Sequence, residues 1–225
     1  MHLLYFALAL LSPFFSTAAE IGSVVYLQGQ AAVLRGGKEE RLTQGEGIFS
    51  KDRIRAAQLS SIRLLLGEQC SIMIYGNGEL RVNGIETNKG RESIYFDLVS
   101  VAKNQDTNVR MIASQVIRPR ECRLFTPTAQ IRSVEGEAII SYTPRLGMTE
   151  VIGLNGEVGV SGGEGSEEII IQKNEISRIA IDGKPSAPID VNPGQVNRLI
   201  GRFPIPIEIP KISKRAHPWR SMTQQ

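Results

Sequence analysis

The sequence predicts an all-β protein built from short strands and hairpins, arranged as a solenoid-like or sandwich-like domain with two stacked repeats. Three observations carry this. Apolar residues recur at alternate positions, the period of a strand with one buried face. Glycine is abundant, at 22 residues, and separates the apolar runs. β-branched residues crowd the runs themselves, which favours strands over helices. The densest stretch is 45–74, GEGIFSKDRIRAAQLSSIRLLLGEQCSIMI. Ile48, Phe49 and Ile54 come first, then Ile62, Leu64 and Leu66, a turn at Gly67-Glu68, and Ile72 with Ile74.

The chain has 225 residues, room for one domain of about 100–200 residues plus extensions. Hydrophobic residues make up 41%, enough for a core and too many for a disordered chain. The net charge of +3 is well short of a nucleic-acid footprint.

Residues 1–19 read as a secretory signal peptide. Leu3 to Leu11 form its apolar region, and Thr17-Ala18-Ala19 is a small-residue cleavage site. The alternative is an uncleaved anchor, but the apolar run is short for a span of about 20 residues and Pro13 breaks it. The expected mature chain starts at Glu20, carries no cysteine there for lipidation, and is periplasmic or secreted, with no integral membrane segment. Two cysteines follow, Cys70 and Cys122. In an oxidising compartment they are either a disulfide or two buried free thiols.

Taken in order, residues 21–33 hold a strand, a break at Gly29 and a second strand. Gly36-Gly37 reads as a hairpin tip. Asp52-Arg53-Ile54-Arg55 places three charges around one isoleucine, the pattern of a solvated strand face with Ile54 inward. Tyr75 to Gly78 is a turn, and the short strand through Leu80 and Val82 is expected to end at Asn83-Gly84. Ile94, Phe96 and Leu98 mark another strand, Lys103 to Asn108 an exposed polar loop, and Met111 to Ile117 a further apolar run. Thr126-Pro127 sets a bend, and Gly136 marks a bulge or a close backbone contact. Residues 151–160, VIGLNGEVGV, alternate and break at Asn155-Gly156, a hairpin signal. Gly162 to Glu168 forms a turn, and Ile169 to Ile171 and Ile176 to Ile181 are the last strands.

An internal echo links VYLQGQAAV near the start with IGLNGEVGV. Each is followed by a polar turn, an apolar strand and a tight turn ending in glutamate, at Gly45-Glu46 and Asn174-Glu175. The domain is expected over residues 20–186, with a proline-rich basic tail from 187 to 225. Within that tail FPIPIEIP must be extended, because proline at alternate positions forbids a helix. Its three isoleucines favour docking on the domain. Lys211, Lys214, Arg215 and Trp219 beyond it could grip an anionic surface or simply solubilise the chain end.

The run from Gly22 to Val82, extended to Lys184, resembles the FecR-like domain. The matching residues are Gly29 between two strands, the turn Leu42 to Glu46, Asp52 to Arg55, the strand Ser61 to Leu65, and Gly67-Glu68. Thr126-Pro127-Thr128-Ala129 and the pair Leu154 to Val160 complete the order. Two departures stand out. Glu135 and Glu137 flank Gly136 where the family carries arginine and threonine, and Asn174-Glu175 replaces a Gly-Gln turn. The resemblance implies an exported module that binds and senses. Its best-known members add a cytoplasmic anti-sigma segment and a membrane helix, and contact an outer-membrane receptor. Neither addition is expected here, so a stand-alone module is implied.

No motif for a metal, phosphate or cofactor occurs, so none is expected. The mature chain's single histidine, His217, lies in the tail. Glu135 with Glu137 could share a strand face and do acid–base work on a glycan, but paired acids on a sheet are usually just solvated. The expected function is therefore binding without catalysis, to another cell-envelope protein, or alternatively to peptidoglycan or another polysaccharide. Asp52, Arg53, Arg55, Glu135, Glu137, Lys211, Lys214, Arg215 and Trp219 are the candidate contacts.

Overall fold

The computed structural model describes residues 19–88, 91–99, 106–114, 120–163, 165–181 and 183–203. Residues 1–18 of the expected signal peptide 1–19, the FPIPIEIP stretch from Pro204 onward and the basic chain end lie outside the described residues.

Eighteen strands and one helix are described. In chain order they are β1 Glu20–Gln28, β2 Ala31–Arg35, β3 Lys38–Arg41, β4 Gly47–Phe49, β5 Arg53–Ala56 and β6 Ser61–Leu66. Next come β7 Cys70–Tyr75, β8 Gly78–Asn88, β9 Arg91–Val99, β10 Thr107–Ala113, β11 Arg120–Phe125 and β12 Gln130–Ser133. The last are β13 Gly136–Thr143, β14 Met148–Gly156, β15 Val158–Ser161, β16 Ile169–Ile171, β17 Glu175–Ala180, β18 Ile189–Asp190 and α1 Pro193–Ile200.

The strands form two nine-stranded sheets that face each other as a sandwich. Sheet A runs β18-β17-β14-β13-β10-β7-β6-β1-β4, and sheet B runs β16-β15-β12-β11-β9-β8-β5-β2-β3. Alternation explains the layers. Ile62, Leu64 and Leu66 of β6 and Ile72 and Ile74 of β7 enter the core from sheet A, and Ile54, Leu80, Val82, Ile94 and Phe96 enter from sheet B. Their neighbours turn outward. One register row crosses the outer face of sheet A through Ile176, Ile152, Ile139, Arg110, Met73, Arg63 and Tyr26.

The internal echo corresponds to a structural repeat. β1 leads through Gly29 from sheet A to β2 in sheet B, β3 pairs β2, and β4 returns to pair β1. β14 to β17 repeat that path through Gly156. The return turns match in detail. Glu46 accepts from the Thr43 amide at 3.0 Å, and Glu175 from the Gln172 amide at 2.7 Å. Gly45 and Asn174 both hold positive φ, 87° and 63°. The copies are not stacked on each other. They cap opposite ends of the same two sheets, because the central strands β7 to β11 lie between them.

Four expectations need correction. Asn83-Gly84 does not end a strand: Gly84, at φ 135°, takes a bulge and β8 continues to Asn88 against β9. Asn155-Gly156 is no hairpin: β14 and β15 lie in different sheets, and the dipeptide is the corner between layers. The polar loop stops before Thr107, which is fully buried at the start of β10; residues 101–105 lie outside the described residues.

Finally, the domain does not end at residue 186. β18 pairs β17, and α1 packs on the outer face of sheet A. Asn192 caps the helix, accepting from the Gly194 amide at 2.8 Å, and Pro193 occupies its first turn. Val196 and Phe203 are buried against Met73, Ile139, Ile152, Leu154 and Ile176. Asn-Pro followed by apolar residues at Val196, Leu199 and Ile200 was the readable signal for this helix.

Candidate functional site

Two layer-changing corners lie side by side. β12 passes to β13 through Val134-Glu135, and β14 passes to β15 through Glu157. Gly136 is the register partner of Gly156. The Glu157 amide donates to the Glu135 carbonyl at 3.3 Å, and Ser133 Oγ donates to the Glu157 carbonyl at 2.9 Å. This closeness needs glycine. A Cβ on Gly136 would sit 2.6 Å from Glu157 O, and one on Gly156 would sit 2.4 Å from Glu135 O at a φ of 61°. Gly156→Ala is accordingly expected to cost about 2–3 kcal/mol, from the left-handed backbone plus the clash. A chemical-denaturation midpoint matching the wild type would refute that.

The corners open a cleft of about 660 Å³, bordered by Ile112 of the neighbouring strand β10 and the Ser114 that follows it, by Arg132, and by Ile170 of edge strand β16. Its charges divide into two sets. Glu137 is held by Arg110, itself only 2% exposed. Arg132 is clamped between Glu168 and the buried Glu121, the latter at 3.2 Å. The Glu168 hydrogen bond outweighs burial and keeps the Arg132 guanidinium even harder to deprotonate than usual. Glu135 and Glu157, by contrast, are exposed and make no ion pair among the described residues. The cleft therefore presents two free carboxylates beside an exposed Ile170, a surface suited to a partner carrying both cationic and apolar groups.

The sequence-predicted residues fall in three places. Glu135 and Glu137 border this cleft, yet they do not share a strand face: β13 begins at Gly136, and Glu135 belongs to the corner. Asp52, Arg53 and Arg55 lie at the other end of the sandwich, near β2 and β8. Asp52 is not solvated. It is 1% exposed and accepts from Arg35 at 2.9 and 2.8 Å and from the Phe49 amide at 2.9 Å, clamping the passage from β4 to β5. Arg53 and Arg55 both grip the buried Glu79 of β8. Lys211, Lys214, Arg215 and Trp219 lie outside the described residues. Glu157 was missed, because its Asn-Gly context reads as a hairpin tip rather than a corner.

Cys70 of β7 and Cys122 of β11 are joined, with Cα atoms 5.9 Å apart, so the bond ties sheet A to sheet B. The Thr-Pro-x-Ala element also links the layers. Thr126 Oγ1 and Thr128 Oγ1 each lie 2.6 Å from Oγ1 of the buried Thr149 on β14. Among the described residues, no group of acidic, histidine or cysteine side chains has metal-site geometry.

The sandwich has solved counterparts. Two crystal structures of a "putative anti-sigma factor" from Parabacteroides distasonis ATCC 8503, at 2.50 and 1.65 Å resolution, superpose on it, each with a TM-score of 0.50. Sequence identity is 11% and 10%, so the likeness is one of fold. The match covers 66% of this chain and 63% and 64% of the Parabacteroides chains. No protein-family model matches the sequence, and no curated protein matches it.

Proposed function

We propose that this chain is an exported, non-catalytic binding module of FecR-like type that docks a partner protein of the cell envelope in a sensing role. The fold it shares with the "putative anti-sigma factor" from Parabacteroides carries this reading. The cleft between the corners supports it, with Glu135 and Glu157 free to meet a cationic partner while Glu137 and Arg132 are held by internal ion pairs. The charge departures at Glu135 and Glu137 lie on this same surface, so its partner would differ from that of other members.

The test is in-cell photo-crosslinking from position Asn155 on the cleft rim. The expected result is one saturable protein adduct, weakened at least about tenfold in apparent affinity by Glu135→Lys with Glu157→Lys, as opposing charges become like charges. Background capture unchanged by the double substitution would refute protein docking here. Retention on isolated peptidoglycan sacculi at moderate salt would replace it with wall binding.

A further inference from the structure

An open sheet ends in strands whose outer backbone groups lack a neighbour, a template for pairing with another chain. Among the described residues the edges are β18 and β4 in sheet A, and β16 and β3 in sheet B. Three of them are blunted. β3 is Lys38-Glu39-Glu40-Arg41, charged throughout and exposed at every residue. β4 has outward groups taken by side chains: the Gly47 carbonyl accepts from Arg35 at 2.9 Å, and the Phe49 amide donates to Asp52 at 2.9 Å. β18 is two residues long, with Pro188 before it and Pro193 opening the helix after it. β16 has none of these devices. It reads Ile169-Ile170-Ile171, without charge or proline, and no strand pairs its outer side among the described residues. The repeat sharpens the contrast, since β16 holds in the second copy the place that β3 holds in the first.

We propose that β16 receives an extended segment of the partner protein as an added strand, carrying an apolar side chain with a lysine or arginine two residues away. This mode rests on the docking reading above and specifies how the partner is held. The edge is continuous with the cleft. Ile170 is 42% exposed and borders the cleft, while Ile171 is buried and Ile169 packs on the core. Its register partner on β15 is Gly159, over which Glu168 crosses to Arg132. β16 runs toward the corner, because Ile171 pairs with Val158, the residue after Glu157. On an added strand, one side chain lies beside Ile170 and the next on the same face is about 7 Å along, toward the corner that carries Glu157 and Glu135. A cation there meets the two carboxylates that form no ion pair among the described residues. Main-chain hydrogen bonds then supply affinity, and the apolar and cationic side chains select the partner.

The probe is the end-blocked peptide Thr-Lys-Val-Val-Val-Lys-Thr, titrated calorimetrically into the full chain. Its central valine and both lysines share one face of a strand in either direction. Two further versions are N-methylated, one at the second, fourth and sixth amides and the other at the third and fifth. The parent peptide is expected to bind saturably, one methylated version at least about tenfold more weakly and the other within about twofold, because a strand bonds its neighbour through every second residue. Glu135→Lys with Glu157→Lys should weaken the parent peptide by about tenfold as well. Ile170→Lys, which gives β16 the kind of charge that β3 carries, should do the same with an unchanged urea midpoint. Absence of binding, or equal effects of the two methylated versions, would overturn strand addition. A charge-sensitive adduct from position Asn155 would then still uphold docking by side chains alone; without that adduct the docking reading falls too. A concentration-dependent dimer that Ile170→Lys returns to monomer would also overturn the added strand, by assigning the edge to β16 of a second copy.

Discussion

Replacing Cys70 and Cys122 together with alanine is expected to lower stability by about 4 kcal/mol, the largest single effect foreseen for this fold. The two residues are separated by 52 positions, and the bond joins β7 of one sheet to β11 of the other. The enclosed segment contains β8, β9 and β10, and the chain changes sheet three times between the two cysteines. Without the bond, the unfolded chain regains the freedom of that whole loop, and the entropy grows with the logarithm of its length. Both side chains are buried, so truncation to alanine adds a small packing loss of the same sign. Urea unfolding of the double variant beside the oxidised wild type would measure the difference. A shift below about 1 kcal/mol would mean that the unfolded chain is already constrained there without the bond.

The second large effect is expected at Asp52. Asp52→Ala should cost about 3 kcal/mol, because it strands both Arg35 and the Phe49 amide at once. The carboxylate is 1% exposed, whereas the Arg35 side chain is 33% exposed, so solvent can take over part of the lost pairing on the arginine side. Arg35 also donates to the Gly47 carbonyl at 2.9 Å and lies 4.5 Å from the centre of the Phe49 ring. Its contacts therefore lock β2, β4 and the start of β5 into one corner. Asp52→Asn keeps an acceptor for the Phe49 amide and should cost roughly half as much, about 1.5 kcal/mol. Equal losses for the two variants, measured by thermal or urea unfolding, would show that a neutral acceptor recovers nothing and that the whole cost comes from losing the charge on residue 52.

Asp52 also illustrates what the sequence hides. Locally it is one of three charges in a strand-like run, and Arg35 belongs to a glycine hairpin 17 residues earlier. Nothing local announces that they meet. Where a signal depends only on neighbours, the reading was sound: the Gly36-Gly37 turn joins β2 to β3, and the alternation around Ile62 and Ile72 places those residues in the core. The repeat was legible for the same reason, since each copy repeats the same turn chemistry. For the cleft, Glu135 and Glu137 were visible as charges, but not that Arg110 would occupy one of them and leave Glu135 free beside Glu157.

Asn-Gly and Gly-Gly make the contrast sharp. Both supply left-handed backbone to a chain that must turn, and the local energy does not distinguish a hairpin from a corner. At Gly36-Gly37 the flanking strands pair with each other; at Gly156 the strand before pairs with β13 and the strand after with β12. By itself, the order of apolar and polar residues determined that this protein is made of strands, where most of them lie and which apolar side chains face the core. Only the tertiary structure decided which strands share a sheet, which charges pair and where the cleft opens. Those outcomes depend on hydrogen bonds and packing between segments far apart in the chain, and no local preference encodes them.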